Sequence, residues 1–308
     1  MYFPVSGVEV NPLFPLLAAF FISLLTTPAG VSGAFLLLPF QVSILGFTSP
    51  AVSPTNLIYN VVATPGGIYR YIREGRVVWP LAWTVVLGTL PGVFIGAVLR
   101  VRYLADPGAF KIFVGFVLLY LGVRLLLEAF LRLRASASRP SPEDASGEGR
   151  FPSGGTVRTT KVSARRIEYE FGGGRYSFGT VPVLLLSLVV GVIGGIYSIG
   201  GGSIIAPFFV LIFGLPVYTV AGAALIATFL TSAAGIVFFL ILDASGVGGS
   251  AAVAPDWLLG TLLGLGGLAG TYVGARTQRY LAEMWIRVVL GILVALLALS
   301  YLGELFRG

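Results

Sequence analysis

Cysteine and histidine are both absent from this sequence of 308 residues. Their absence excludes a disulfide framework, thiol redox chemistry, Cys/His metal sites, haem attachment and any histidine-based nucleophilic triad. No obvious base is present to activate a serine. The sequence therefore predicts neither an enzyme nor a resident cofactor or metal.

Charged side chains are scarce as well. They make up 11% of the chain, against roughly 25% in an average soluble domain, while 56% of the residues are hydrophobic and the mean hydropathy is +0.93. Glycine is abundant, with 42 residues, and it is more frequent in membrane helices than in soluble ones. These proportions predict a multi-pass protein of the cell membrane, surrounded by lipid.

The few charges are unevenly distributed. None occurs between Glu9 and Arg70 or between Arg175 and Asp243, whereas the stretch 132–178 holds nine of the 20 basic and five of the 13 acidic residues. The formal net charge of +7 is attributed to cytoplasmic loops, so nucleic acid is not an expected partner. Three parts are predicted: an N-terminal transmembrane repeat over 1–131, a basic cytoplasmic linker over 132–178 and a C-terminal transmembrane repeat over 179–308.

Apolar stretches of about 20 residues predict membrane-spanning helices. They lie near residues 51–71, 77–99, 109–131, 217–241, 257–275 and 283–303. Two further apolar regions, 13–45 and 181–213, are too long for one helix and short for two, and small residues interrupt each of them. The predicted fold is an all-α polytopic membrane protein in which each half has a broken or re-entrant helical hairpin, with about 14 residues on either side of the break, plus three spans.

The two halves repeat each other. A shift of 168 residues aligns Pro39-Phe40 with Pro207-Phe208, Gly46 with Gly214 and Leu57-Ile58 with Leu225-Ile226. With ten residues inserted, Gly88, Gly92 and Gly96 match Gly266, Gly270 and Gly274. These six glycines are expected to let helices pack closely. Internal duplication is typical of secondary transporters, whose substrate site lies where the repeats meet.

Basic residues near the span ends predict the orientation of the chain. Arg70, Arg73 and Arg76 fall on the same side as the basic linker, which is taken as the cytoplasm, and loop 243–256 is expected outside. If region 181–213 enters and leaves on one face, the halves are inverted; if it crosses once, they are parallel. The inverted arrangement is preferred, although the loop containing Arg100, Arg102 and Lys111 fits the outside poorly either way.

The basic linker has two sections. Residues 135–155 have the composition of a disordered segment. Residues 156–178 alternate in polarity around a glycine turn, which predicts a small β-hairpin lying against the cytoplasmic ends of the helices. A passive connector is the simpler interpretation, and a regulatory or partner-binding role is left open.

The second break reads Ser198-Ile-Gly-Gly-Gly-Ser203. Glycines let a ligand approach the backbone, and a half-helix beginning near Gly202 presents N–H groups and the positive end of its dipole to an anion. The first break, Pro28 to Gly33, would present a second such N-terminus. Close helix packing is the alternative use of these glycines. The predicted substrate-binding residues of the two breaks are Ser198, Gly200, Gly201, Gly202 and Ser203, with Gly30, Ser32 and Gly33.

Polar side chains on the following spans extend this candidate site. Asn56 and Asn60 are four residues apart and share one helix face, and Thr228 lies on the matching span of the second half. Buried amides are costly in a membrane unless they have partners. Lining a polar pathway and bonding helices together are equally compatible with these three residues.

The string Gly194-Gly-Ile-Tyr-Ser-Ile-Gly-Gly-Gly-Ser-Ile-Ile-Ala-Pro-Phe208 resembles the glycine-rich signature of the TauE/SafE sulfite exporter family. The likeness extends from Leu13 to Leu302. The first copy of the motif, Pro28 to Gly33, departs from the pattern because its glycines are separated, so the first half-site is expected to bind differently. The resemblance implies transport of sulfite or small organosulfonates, often as export, and it supports an anion transporter better than it supports sulfite.

The resulting hypothesis is a secondary transporter that moves a small sulfur oxyanion or organosulfonate across the cytoplasmic membrane, as export. Two alternatives remain: a channel or uptake permease for another small anion, and a non-transporting membrane scaffold whose basic linker docks a partner. The expected partners are the anion and membrane lipid, with a homo-oligomer left open.

Overall fold

The computed structural model describes residues 1–27, 32–137, 156–163, 165–249, 251–277 and 283–303. Eleven helices occur in these ranges: α1 Leu13–Thr26, α2 Ala34–Ser43, α3 Val52–Ala63, α4 Pro65–Arg73, α5 Trp79–Arg102, α6 Pro107–Ala137, α7 Thr180–Tyr197, α8 Gly201–Leu211, α9 Val217–Ala244, α10 Trp257–Thr277 and α11 Glu283–Gly303. The strands are β1 Tyr2–Phe3, β2 Val8–Glu9, β3 Arg158–Val162, β4 Arg166–Phe171 and β5 Gly174–Gly179.

Five helical segments in the described part of the chain are long and apolar enough to cross a membrane. They are Trp79–Arg102, Pro107–Leu131, Thr180–Tyr197, Thr219–Ala244 and Trp257–Gly274, and shorter apolar helices occur at Leu13–Thr26, Ala34–Ser43 and Val288–Gly303. This confirms the prediction of a mostly helical, multi-pass membrane protein.

Some predicted elements differ from the structure. The span predicted over 51–71 is two helices, because Pro65 has no N–H to donate and its ring crowds the preceding turn. The second break is flanked by unequal helices of 18 and 11 residues, whereas about 14 on each side was expected. Helix α6 continues to Ala137, into the predicted linker, and most of the segment predicted as disordered lies outside the described residues.

The linker folds as a three-stranded antiparallel sheet in the order β3-β4-β5. The predicted hairpin corresponds to β4 and β5, and the sequence analysis missed β3. Tyr169 of β4 is fully buried, and its hydroxyl lies 2.9 Å from Oγ1 of Thr219 at the start of α9. The N–H of Val157 also bonds to the carbonyl of Gly75, just after α4. The sheet therefore lies against the helix ends, as the sequence predicted.

The sheet β3–β5 lies at one end of the helix bundle, and the segment between α9 and α10 lies at the other. We call the end that contacts β3–β5 the sheet end. Helix α9 has 28 residues, about 42 Å, and its far terminus leads into segment 245–256. At this second end, the loop end, the N–H of Ala51 bonds to the carbonyl of Ala252, and Ser6 Oγ donates to Asp256 Oδ2.

Each broken region has both outer ends at one end of the bundle. The rings of Phe14 and Phe40 lie 5.8 Å apart, so the start of α1 is next to the last turns of α2. Ser43, the last residue of α2, bonds to Tyr301. In the second region α7 begins directly after β5, and α8 leads through a short turn to α9, both at the sheet end.

Glycines bring α5 into backbone contact with α7, and α10 into backbone contact with α1. A methyl group on Gly92 of α5 would overlap the carbonyl oxygen of Leu188 on α7, and one on Gly270 of α10 would overlap that of Phe20 on α1. Gly88 and Gly96 on α5, and Gly266 and Gly274 on α10, make equivalent close approaches. The packing role predicted for these six glycines is confirmed.

Candidate functional site

The second break meets the first turn of α2 inside the bundle. The hydroxyl of Tyr197, at the end of α7, donates to the carbonyl of Phe35 in the first turn of α2 at 2.7 Å. The side-chain amide of Asn56 donates to the carbonyls of Ala34 at 3.1 Å and Ser198 at 2.9 Å. One buried amide of α3 therefore joins the first turn of α2 to the second break.

A second amide on α3 holds the next residue of the break. Nδ2 of Asn60 donates to the carbonyl of Ile199 at 2.9 Å. Asn56 and Asn60 are fully buried, and their four-residue spacing directs them to successive carbonyls of one buried turn. Bonding the second break to α3 is thus an observed role of both residues, and it supplies the partners that buried amides require.

The second break turns sharply between α7 and α8. Ser198 has φ +62° and Gly200 has φ +82°, both in the left-handed region that favours glycine. A Cβ on Gly201 would lie 2.6 Å from Cγ2 of Thr89, and one on Gly202 would overlap the carbonyl oxygen of Ala224. The tight turn and the close packing both require glycine at these positions. Because neighbouring helices crowd the Cα atoms of Gly201 and Gly202, only the N–H groups of these residues are left to meet an anion.

Backbone N–H groups are available at this turn because α8 begins there. The first four N–H groups of a helix have no carbonyl partner within it, and they carry the positive end of the dipole. No acidic residue occurs between Arg175 and Asp243 to oppose an anion. The first turn of α8 comprises Gly201 and Gly202 with the backbone of Ser203, whose side chain is outside the described set.

Two buried oxygens beside the break have no hydrogen-bond partner within the described ranges. They are Oδ1 of Asn60 and Oγ of Ser232. Ser232 and Thr228 both belong to α9 and face Gly200: a Cβ there would lie 3.0 Å from Ser232 Oγ and 2.7 Å from Thr228 Cγ2. A hydroxyl that is buried at a helix N-terminus can donate to a bound anion.

The first break contributes less that can be described. Oγ of Ser32 accepts a bond from the N–H of Ala34, the first residue of α2, at 3.3 Å. A Cβ on Gly33 would lie 2.5 Å from the hydroxyl of Tyr59. Gly30 lies outside the described residues. Of the predicted site, the structure gathers Ser198, Gly200, Gly201, Gly202, Asn56, Asn60 and Thr228 around one turn, with Ser32 and Gly33 on the facing hairpin.

Sequence reasoning missed several polar residues around the breaks. Nε2 of Gln41 donates to Oδ1 of Asn56 at 3.2 Å, and the hydroxyl of Tyr59 lies 2.9 Å from Oγ of Ser23. Gln41 could have been found as an amide within an uncharged apolar run. Arg100, at the end of α5, is fully buried, although its position in the sequence is typical of an interfacial residue.

These helices and the buried polar residues between them define a multi-pass helical membrane protein. The sequence matches the family described as Sulfite exporter TauE/SafE over residues 15–301. The chain belongs to this family, which confirms the resemblance drawn from the glycine-rich motif. The family is one of membrane transporters and not of enzymes.

One curated relative is a protein of Bacillus subtilis (strain 168) described as "Probable membrane transporter protein YunE". The two are 25% identical over 162 residues, which is 53% of this chain and 51% of the relative. The chain thus matches about half the length of that protein. No solved structure matches.

Proposed function

We propose that this protein is a secondary transporter that exports a small sulfur oxyanion or organosulfonate. The anion would bind where the two breaks meet, on the N–H groups that begin α8, with Thr228 beside them. The observation that carries the proposal is the bridge formed by Asn56 between the carbonyls of Ala34 and Ser198. It joins the two halves of the chain at a buried, acid-free turn.

The proposal includes an inverted repeat. The halves would be 1–131 and 179–308, and the broken regions would be re-entrant hairpins that enter from opposite faces of the membrane. In support, α1 packs on α10 and α7 on α5, a pairing that is unchanged when the halves are exchanged. The sheet end would be cytoplasmic, because Arg70, Arg73 and Arg76 are on that side.

The site can be tested by removing one hydroxyl. In proteoliposomes, Thr228→Val is expected to raise the KM for sulfite about tenfold, because a hydrogen bond to a charged ligand is lost. Thr231→Val is the matched control: it makes the same change one turn further along α9, at a hydroxyl that donates to the carbonyl of Ala227 at 2.6 Å. Equal KM values for Thr228→Val and the native protein would contradict the site.

The transport class needs a separate measurement. Sulfite and organosulfonate fluxes into proteoliposomes should depend on an imposed ion gradient if transport is coupled, and should not if the protein is a channel. Accumulation in the opposite direction would indicate an uptake permease. A native protein that moves no anion would contradict the proposal and would favour a scaffold, for which deletion of 135–178 should then abolish function.

A further inference from the structure

Arg100 is a fully buried cation in the last turn of α5. Its Nε donates to Oγ of Ser53 at 3.2 Å, its Nη1 donates to the carbonyl of Leu104, and its Cζ lies 3.6 Å from the centroid of the Phe110 ring. Its Nη2 has no hydrogen-bond partner among the residues that the structure describes. Nε and Nη1 therefore hold the guanidinium in place, and the N–H groups of Nη2 donate to no residue that the structure describes.

No carboxylate within the described ranges forms an ion pair with Arg100. Three acids at the loop end accept from other donors: Asp106 from the N–H of Ala109, Asp243 from the N–H groups of Val253 and Ala254, and Asp256 from Ser6 and the N–H of Leu259. The dipole of α5 favours a cation at its C-terminus, but only in part offsets the cost of burying an unpaired charge.

Arg100 is connected to the meeting point of the breaks. Oγ of Ser53, which accepts from Arg100, also donates to the carbonyl of Ile196 at 3.4 Å. Three residues further along α3, Asn56 contacts Ser198. Arg100 thus lies one helical turn from the breaks, on their loop-end side.

We propose that Arg100 is a second binding position for the transported oxyanion, on the loop-end side of the breaks. An oxyanion accepting from Nη2 would pair the unused donors and supply the missing counter-charge, since guanidinium groups bind oxyanions with short, charge-assisted hydrogen bonds. The inference rests on the proposed function and adds to it the charged group that the backbone site lacks.

The first test compares Arg100→Met with Arg102→Met, a matched control in which an exposed arginine of the same helix end is replaced. Sulfite transport and the rise in melting temperature caused by sulfite are measured for both. Arg100→Met is expected to raise KM about tenfold or more and to lose most of the sulfite-dependent melting shift. Arg102→Met is expected to match the native protein, and Arg100→Lys to lie between.

A purely structural role gives a different result. In that case Arg100→Met lowers the melting temperature without sulfite, but leaves KM and the sulfite-dependent shift unchanged, which overturns this inference alone. If the native protein neither moves sulfite nor is stabilised by it, the proposed function is contradicted, and the inference about Arg100 is contradicted with it.

A second measurement uses the native chain and does not depend on the folding of a variant. Crystals grown with selenite, a heavier analogue of sulfite, should show an anomalous selenium peak about 4 Å from Nη2 of Arg100. Occupied selenite sites elsewhere with none at Arg100, or no selenite site at all, would overturn the assignment.

Discussion

Glycine has two separate uses in this chain at the scale of single residues. At Gly200 the backbone lies in the left-handed region, so the residue is required by the turn. At Gly92 and Gly270 the conformation is helical, and the residue is required by a neighbouring carbonyl oxygen. The first use shapes the candidate site, whereas the second holds the helices that surround it.

Glycine at a helix–helix contact predicts a large loss of stability when one methyl group is added. Gly92→Ala is expected to destabilise the protein by about 1–3 kcal/mol, because the methyl group overlaps Leu188 and α5 must move away from α7. Gly66→Ala is the control, since the nearest atom to its added methyl group is 3.5 Å away. Thermal unfolding in detergent measures both. A Gly92→Ala protein as stable as Gly66→Ala would show that the helix contact is looser than described.

Buried amides show how a residue's role depends on what lies opposite. The sequence predicts that Asn56 and Asn60 either bind the substrate or hydrogen-bond one helix to another. Their Nδ2 atoms bond to the carbonyls of Ser198 and Ile199, which are 142 and 139 residues away in the chain. Periodicity along α3 predicts that both face the same way, but it cannot predict which carbonyls are there.

At the scale of elements, the sheet formed by β3–β5 is attached to the bundle mainly through β4. Its alternating burial places Ile167, Tyr169 and Phe171 toward the helices. The alternation of polarity was visible in the sequence, and so was the glycine turn between β4 and β5. Strand β3 was missed because all five of its residues are exposed, and an exposed edge strand has no apolar face to reveal it.

The attachment of the sheet should depend on pH through Tyr169. Burial raises the pKa of Tyr169 to about 12, partly opposed by its bond to Thr219. The neutral phenol is therefore favoured in the folded state, so its contribution to stability is complete below about pH 10 and is lost as the pH rises toward 12.

The variant Tyr169→Phe separates the ionisation of Tyr169 from general alkaline denaturation. It removes the bond to Thr219 and is expected to cost about 1 kcal/mol at pH 8. Between pH 10 and 12 it should lose less stability than the native protein, because it has no phenol to ionise at this position. Chemical unfolding at several pH values measures both. Parallel losses in the two proteins would mean that Tyr169 is not the titrating group.

At the scale of the whole molecule, the proposed inverted repeat can be tested with two residues that a shift of 168 residues aligns. Ile44 follows α2 and Ile212 follows α8, and both side chains are 64% exposed. Ile44 is at the loop end and Ile212 at the sheet end. If the repeats are inverted, these two matched residues face opposite sides of the membrane.

The absence of cysteine makes this topology testable with single substitutions. In intact cells, Ile44→Cys is expected to react with a membrane-impermeant maleimide, and Ile212→Cys to react only after permeabilisation. Ser245→Cys and Ser163→Cys are the controls, since both positions are exposed, at the loop end and in the sheet respectively. Labelling of Ile44→Cys and Ile212→Cys from one side would indicate parallel repeats.

The sequence by itself determined the membrane class, the two broken regions, the paired glycines and the β-hairpin. Each of these depends on composition or on neighbours within a few residues, where hydropathy and turn chemistry act directly. Only the tertiary structure decided that Tyr197 reaches Phe35 and that Arg100 is buried. These outcomes depend on contacts between distant segments, and a buried polar group takes whichever partner the packing of the helices brings to it.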